Sequence, residues 1–140
     1  IFDPKRMVVS IVHAGWKGAF KEIVKKVITF FKKKGSNVKD LIVVIGPCIS
    51  VKNYEIKKDF MKKFLNKDKK NKIYFKFSHN KIFFDLRKYI AFQIKSFGIN
   101  KLEIINKDTF SEENSYFSAR RSLVKKENDY GRNISLIMIN

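Results

Sequence analysis

At 140 residues with 44 % apolar content, the chain is long enough for one domain with its own core and too short to expect two. Lys, Arg or Asp interrupts every hydrophobic run well short of the roughly 18 to 20 residues of a membrane span, and Ile1-Phe2-Asp3-Pro4 has neither the basic start nor the apolar run of a signal peptide. The single Cys48 excludes an internal disulfide, so a stapled secreted scaffold is ruled out and a cytoplasmic protein without a membrane partner is expected.

A formal net charge of +18 raises the question of anionic partners. The lysines are dispersed, as Lys25-Lys26, Lys32 to Lys34, Lys57-Lys58, Lys62-Lys63 and Lys67 to Lys72, with no arginine-rich stripe and no stacking motif. That pattern reads as compositional bias on solvated faces rather than as a nucleic-acid surface. Ile1 is not a start methionine and Pro4 stands only a few residues ahead of an apolar run, so a chain cut from something longer is expected.

In chain order, Met7 to Val12 is a mostly β-branched run that predicts a buried strand ending at His13. Gly15 and Gly18 break it, and Ile23, Val24, Val27, Ile28 and Phe31 recur at helical spacing up to Gly35. Leu41 to Ile45 predicts a second strand, closed by Gly46-Pro47. Ile56, Phe60, Met61 and Phe64 mark an amphipathic helix over Tyr54 to Leu65, and the polar run Asn66 to Lys72 reads as a surface loop. A strand is expected over Ile73 to Phe77, a helix from Asp85 to Phe97 stopped by Gly98, and a strand over Leu102 to Ile105. Tyr116 to Ser118 and Ile134 to Ile139 read as strands joined by the charged insert Ser122 to Tyr130. The alternation predicts a layered α/β or α+β fold with a mixed sheet, its parallel neighbours confined to the first half.

Three segments carry chemistry. His13-Ala14-Gly15-Trp16-Lys17-Gly18 places two glycines, a histidine and the only tryptophan at a strand-to-helix turn. There, backbone N–H groups and Lys17 would suit a phosphate, while the plain alternative is a hydrogen-bonded His13 and a packing Trp16. Ile45-Gly46-Pro47-Cys48-Ile49-Ser50 is a second post-strand loop. Cys48 with His13 and His79 would make three zinc donors, but no close CxxC or HxxxH spacing supports them, and a small buried Cys48 and an exposed-turn His79 explain the same residues. In the third, Asp108-Thr109-Phe110 followed by Tyr116-Phe117-Ser118-Ala119-Arg120-Arg121 and then Gly131-Arg132, adjacent arginines on a strand would face opposite ways, one inward to a phosphate or carboxylate and one to solvent; two surface arginines are the alternative.

Taken in this order, the segments resemble the laccase-domain family (polyphenol oxidase or purine nucleoside phosphorylase, YfiH-like). HAGWKG at 13–18 resembles its H-A-G-W-[RK]-G signature, IGPCIS with Tyr54-Glu55-Ile56 its G-P-x-I-x and [YF]-E-V stretch, Asp85-Leu86 its D-L pair, and YFSARR with Gly131-Arg132 its F-F-S-Y-R-R and G-R terminus. The chain departs from the pattern at Ala119, commonly tyrosine, at Asp108, often cysteine, and in a long insert from Val124 to Tyr130. The resemblance implies a layered α/β/β/α sandwich with mixed sheets, of which residues 1–140 form the C-terminal portion of a single domain whose N-terminal part is missing.

It further implies a zinc-dependent purine nucleoside phosphorylase acting on adenosine, inosine and methylthioadenosine, with adenosine deaminase activity and, as an alternative metal, copper. Of the family's metal triad, two histidines and a cysteine, only His13 is matched, as catalytic residue and ligand. The other two are expected upstream, and Cys48 is not expected to bind metal. Phosphate and nucleoside are the implied partners, with Gly15, Trp16, Lys17, Gly18 and Arg120 as the binding candidates. The 140 residues alone are expected to be inactive and, lacking neighbouring strands, to self-associate. A basic nucleic-acid-binding module or an inactive remnant are the alternative readings.

Overall fold

The computed structural model describes residues 1–139. In chain order the elements are β1 (Phe2–Asp3), β2 (Val8–Val9), α1 (Trp16–Phe20), α2 (Ile23–Lys33), β3 (Ile42–Ile45), β4 (Glu55–Ile56), α3 (Lys58–Lys67), β5 (Phe75–Ser78), β6 (Lys81–Phe84), α4 (Leu86–Ser96), β7 (Lys101–Ile104) and α5 (Ala119–Lys125), with short 3-10 turns at Lys69–Tyr74 and Glu112–Asn114. The fold is α+β, as expected, and the chain gathers into two compact units.

The first unit comprises residues 1–46, 88–105 and 135 onward. Its sheet runs β2-β1-β3-β7, antiparallel except for the parallel β3–β7 pair, which sets Ile42 beside Lys101 and Ile45 beside Ile104. β3 is an unbroken β-branched run, and its pleat alternates Val43 and Ile45 inward with Ile42 and Val44 outward. In the same unit, α2 buries Val24, Ile28 and Phe31, an i, i+4, i+7 stripe, and α4 buries Tyr89, Ile90 and Ile94. Each such side chain contributes about 1.5–3 kcal/mol of burial. The turn between β1 and β2 is fixed by Asp3, whose Oδ1 accepts the N–H groups of Lys5 (2.9 Å) and Arg6 (3.1 Å).

The second unit holds residues 47–87 and 106–134, with an antiparallel β4-β6-β5 sheet. Its core is aromatic. Phe64 and Phe84 are fully buried, their rings 4.8 Å apart, and Phe60, Phe75 and Tyr54 complete the cluster. Edge-to-face and tilted contacts of this kind add about 0.5–1.5 kcal/mol each beyond area burial. β5 and β6 join through His79-Asn80, both at positive φ (47° and 59°), the backbone of a type I′ hairpin turn.

Several expected elements change. The strand over Met7 to Val12 shrinks to Val8–Val9, half-buried rather than buried, because β1 is itself two residues long and beyond it only Ser10 finds a partner, exchanging two backbone bonds with Ile1. The helix over Tyr54 to Leu65 starts at Lys58, since Glu55 and Ile56 pair with β6 instead. Asn66 to Lys72 is not wholly a surface loop. A 3-10 turn begins at Lys69, and buried Asn71 donates through Nδ2 to the Phe64 carbonyl (2.8 Å), closing the end of α3. Tyr116 to Ser118 is irregular rather than a strand, and the arginines after it lie on α5, capped by Ser118. Ile134 to Ile139 forms no strand either. The parallel pair joins β3 to β7 from the second half of the chain, not two strands of the first half.

Candidate functional site

In the first unit, β2 ends at Val9 and the backbone bonds to β1's side of the sheet end at Ser10, so His13 stands four residues beyond the strand, in irregular chain leading to α1, with its side chain exposed. The segment turns back on itself tightly. A Cβ at Gly15 would meet His13 Nε2 at 2.9 Å, closer than real Cβ atoms approach, so the glycine makes room for this imidazole. Gly18 differs: a Cβ there would make ordinary contacts of 3.6 Å with the His13 carbonyl and Ile23. Trp16 is half-buried and opens α1, and Lys17 Nζ stands 5.7 Å from its ring centroid, a cation–π contact that keeps the ammonium on the exposed side. α1 is five residues long, little more than one turn, so the pull on an anion at this end comes mainly from the Lys17 charge.

The sixth candidate, Arg120, belongs to the second unit. Its guanidinium stacks on the ring of Tyr54, 5.4 Å from the centroid, and the half-buried side chain makes no hydrogen bond among the described residues. Arg121 is committed elsewhere. It donates to the carbonyls of Thr109 (3.2 Å), Phe110 (2.9 Å) and Tyr116 (2.6 Å), gathering the loop that precedes α5. The arginine pair therefore divides as one inward and one available, but across a helix, and the inward one serves backbone rather than a ligand.

Asp108 stands out in the sequence and Arg87 does not, but the role of each as a polar hub of this unit depends on distant partners. Asp108 accepts from Ser50 N–H (3.1 Å), Ser50 Oγ, Asn53 Nδ2 (2.8 Å) and Phe110 N–H (2.8 Å), tying the loop after β3 to the segment 106–114. Burial works to raise its pKa, but the bonds from Ser50, Phe110 and Asn53 outweigh it and hold the carboxyl below the ordinary value. Arg87 donates to Asn106, to the Lys107 carbonyl (3.1 Å) and to the Cys48 carbonyl (3.4 Å). Only their side-chain types, 58 and 39 residues from their partners, were legible beforehand.

Cys48 forms an isolated parallel bridge with Asp108, and burial pushes its thiol pKa up against the opposing pull of Arg87. Metal binding needs the thiolate, so this setting disfavours Cys48 as a ligand. His79 lies in the exposed hairpin turn, bonded through Nδ1 to Ser78 Oγ (2.9 Å). Among the described residues no three His, Cys, Asp or Glu side chains group to hold a metal ion. One exposed imidazole does not make a zinc or copper centre, and these residues by themselves do not fit one. No helix among them is long and apolar enough to cross a membrane.

An α+β fold carrying a glycine-cradled histidine and an unspent arginine leads to the comparison with known proteins. The chain matches, over residues 1–140, the family described as multi-copper polyphenol oxidoreductase laccase, and it belongs to that family. It is 36 % identical over 129 residues to a purine nucleoside phosphorylase of Rickettsia conorii, covering 91 % of this chain and 52 % of the relative, and 34 % identical over 117 residues to one of Rickettsia prowazekii, covering 82 % and 48 %. The solved structure of a Bacillus licheniformis hypothetical protein, YfiH, superposes with a TM-score of 0.76 at 28 % identity, covering 87 % of this chain and 48 % of that one. A Neisseria meningitidis protein superposes at 0.73 with 21 % identity, covering 86 % and 49 %, a likeness of fold. The chain spans about half the length of the curated relatives it matches.

Proposed function

We propose that the chain contributes to a purine nucleoside phosphorylase site, with His13 of the first unit at the reaction centre and Lys17 of the same turn as a group that holds phosphate. The observation that carries the reading is the HAGWKG turn: an exposed imidazole folded back against Gly15, where a Cβ would lie 2.9 Å from its Nε2, in a chain whose relatives are named for phosphorolysis. In that reaction a phosphate oxygen bonds to the anomeric carbon of the ribose, the bond to the purine nitrogen breaks, and its electron pair leaves with the base, which takes up a proton. A fixed cation beside the attacking anion and a group beside the leaving base are the roles this chemistry asks of a protein. His13 is the exposed titratable group of the turn, and the Gly15 to Gly18 backbone borders it. A zinc ion, or copper, would take ligands besides His13 from outside these 140 residues. Adenosine deamination, the hydrolytic alternative, would act on the same class of nucleoside.

One observation favours a second reading. No metal-holding group exists among the described residues, so the 140-residue chain alone would bind phosphate without turnover, as a half-site. The experiment that tests both is phosphate-dependent release of base from adenosine and inosine, with metal content measured in parallel, on this chain and on a protein spanning the full length of its relatives. Base release by the longer protein that His13→Ala abolishes supports the phosphorylase reading. Release by the short chain alone removes the half-site reading.

A further inference from the structure

Four of the five arginines donate hydrogen bonds: Arg6 to the Gly35 carbonyl, Arg87 and Arg121 to the acceptors described above, and Arg132 to Asp129. Arg120 alone makes none among the described residues, yet its guanidinium is not adrift. It lies over the ring of Tyr54, a residue 7 % exposed whose ring is gripped edge-on by Phe60 (6.4 Å, 61°) and Phe84 (6.0 Å, 65°), the second fully buried. The Phe84 N–H also donates to the Tyr54 carbonyl (3.0 Å), fixing the backbone that carries the ring. An arginine normally loses rotamer freedom when it binds an anion. One already stacked on an immobile aromatic face has lost part of it beforehand, with its N–H fork still unspent.

We propose that Tyr54 is the positioning residue of an oxyanion seat in which the Arg120 guanidinium is the binding group and inorganic phosphate the ligand. The identity of the anion rests on the phosphorylase reading; the seat itself rests on the stack. The face of the ring does the positioning, not its hydroxyl. Burial raises the Tyr54 pKa against the opposing pull of Arg120, so the phenol stays neutral near neutral pH and does not compete with an incoming anion. The Asp108 carboxylate of the same unit is taken up by its four hydrogen bonds, and Arg121 by its three carbonyls, which leaves Arg120 as the available guanidinium of this segment.

The test is the affinity of the 140-residue chain for inorganic phosphate, followed by 31P NMR at roughly physiological ionic strength, where diffuse charge is screened beyond about 8 Å. Arg120→Ala is expected to weaken binding about tenfold, as loss of a charge-assisted fork does. Arg120→Lys keeps the charge but loses fork and stack, and should weaken it several-fold. Tyr54→Leu should weaken it by about three- to tenfold while Tyr54→Phe restores it to within about twofold. Lys76→Ala, a remote exposed cation, should change it less than twofold. Unchanged affinity in Arg120→Ala or Arg120→Lys overturns the seat, as does a loss in Lys76→Ala equal to that in Arg120→Ala. Tyr54→Phe falling as far as Tyr54→Leu overturns the role of the ring face. If Tyr54→Leu fails to fold by circular dichroism, the Arg120→Lys arm decides. Phosphate held through Arg120 by a protein that cleaves no nucleoside leaves the seat standing and removes the phosphorylase reading; nucleoside cleavage in a protein whose phosphate affinity is undiminished by Arg120→Ala does the reverse.

Discussion

The His13 imidazole and Gly15 share a space with no room for a methyl group: a Cβ at position 15 would lie 2.9 Å from Nε2. The Gly15 backbone, at φ −62° and ψ 169°, is one that alanine adopts without strain, so the conflict is with the ring alone. Because the ring is exposed and free to rotate away, Gly15→Ala is expected to change stability by less than about 1 kcal/mol, the clash being offset by the lower unfolded-state entropy of alanine. The His13 imidazole resonances should nonetheless shift in a two-dimensional NMR spectrum. An unchanged His13 spectrum would show that the glycine is not there for the histidine.

Adjacent in sequence, Arg120 and Arg121 should behave oppositely on substitution. Arg121→Ala strands three carbonyls that fold the loop ahead of α5, and a loss of roughly 2–3 kcal/mol is expected. Arg120→Ala forfeits only a half-exposed cation–π contact, worth about 0.5–1 kcal/mol. Urea denaturation of the two variants separates them, and equal losses would contradict the division of labour.

Asp108 gives a pH-dependent prediction. Its folded-state pKa is lowered, net of the burial that acts to raise it, so its contribution to stability is fully present above the unfolded value near 3.9 and is lost as pH falls through the folded value. The stability difference between the native chain and Asp108→Asn should therefore be flat from pH 7 to about 5 and shrink below about 4. Its size near neutrality is expected to be about 1–2 kcal/mol, reduced by the partial exposure of the carboxylate. A difference that grows on acidification would contradict the hydrogen-bond assignment.

The outward face of the first sheet presents Ile42 and Val44 to solvent, at 38 % and 47 % exposure, and the terminal segment presents Ile134, Leu136 and Met138 at 86 %, 85 % and 78 %. Apolar surface of this extent on a short chain favours association. Sedimentation at increasing micromolar concentration is expected to show self-association that Val44→Lys with Leu136→Lys reduces. A monomer at every concentration would contradict it.

What could be read from sequence followed the length and regularity of the signal. α2, β3 and α4 were legible because their apolar residues recur over four or more positions at one period, and HAGWKG because its residue types rarely meet by chance. The β5–β6 hairpin was obscured by its turn, built from His79-Asn80 rather than the glycine-bearing pairs that announce such loops. YFSARR alternates like a strand, but Ser118 accepts the Arg121 N–H and starts a helix, a choice the local pattern does not reveal. β4 is two residues that pair only because β6 lies beside them. Arg120 was legible as a candidate but not its stack on Tyr54, 66 positions away in the chain, since that depends on where tertiary packing brings α5.

The central claim is that His13 lies at the reaction centre of a nucleoside phosphorylase. The direct measurement is phosphate-dependent base release from adenosine and inosine by a protein spanning the full length of the relatives, compared with the same protein carrying His13→Ala. The account predicts release that depends on phosphate and falls by at least about a hundredfold in the variant, the scale of losing a group that acts in the transition state. Release as fast in His13→Ala as in the unaltered protein would contradict it.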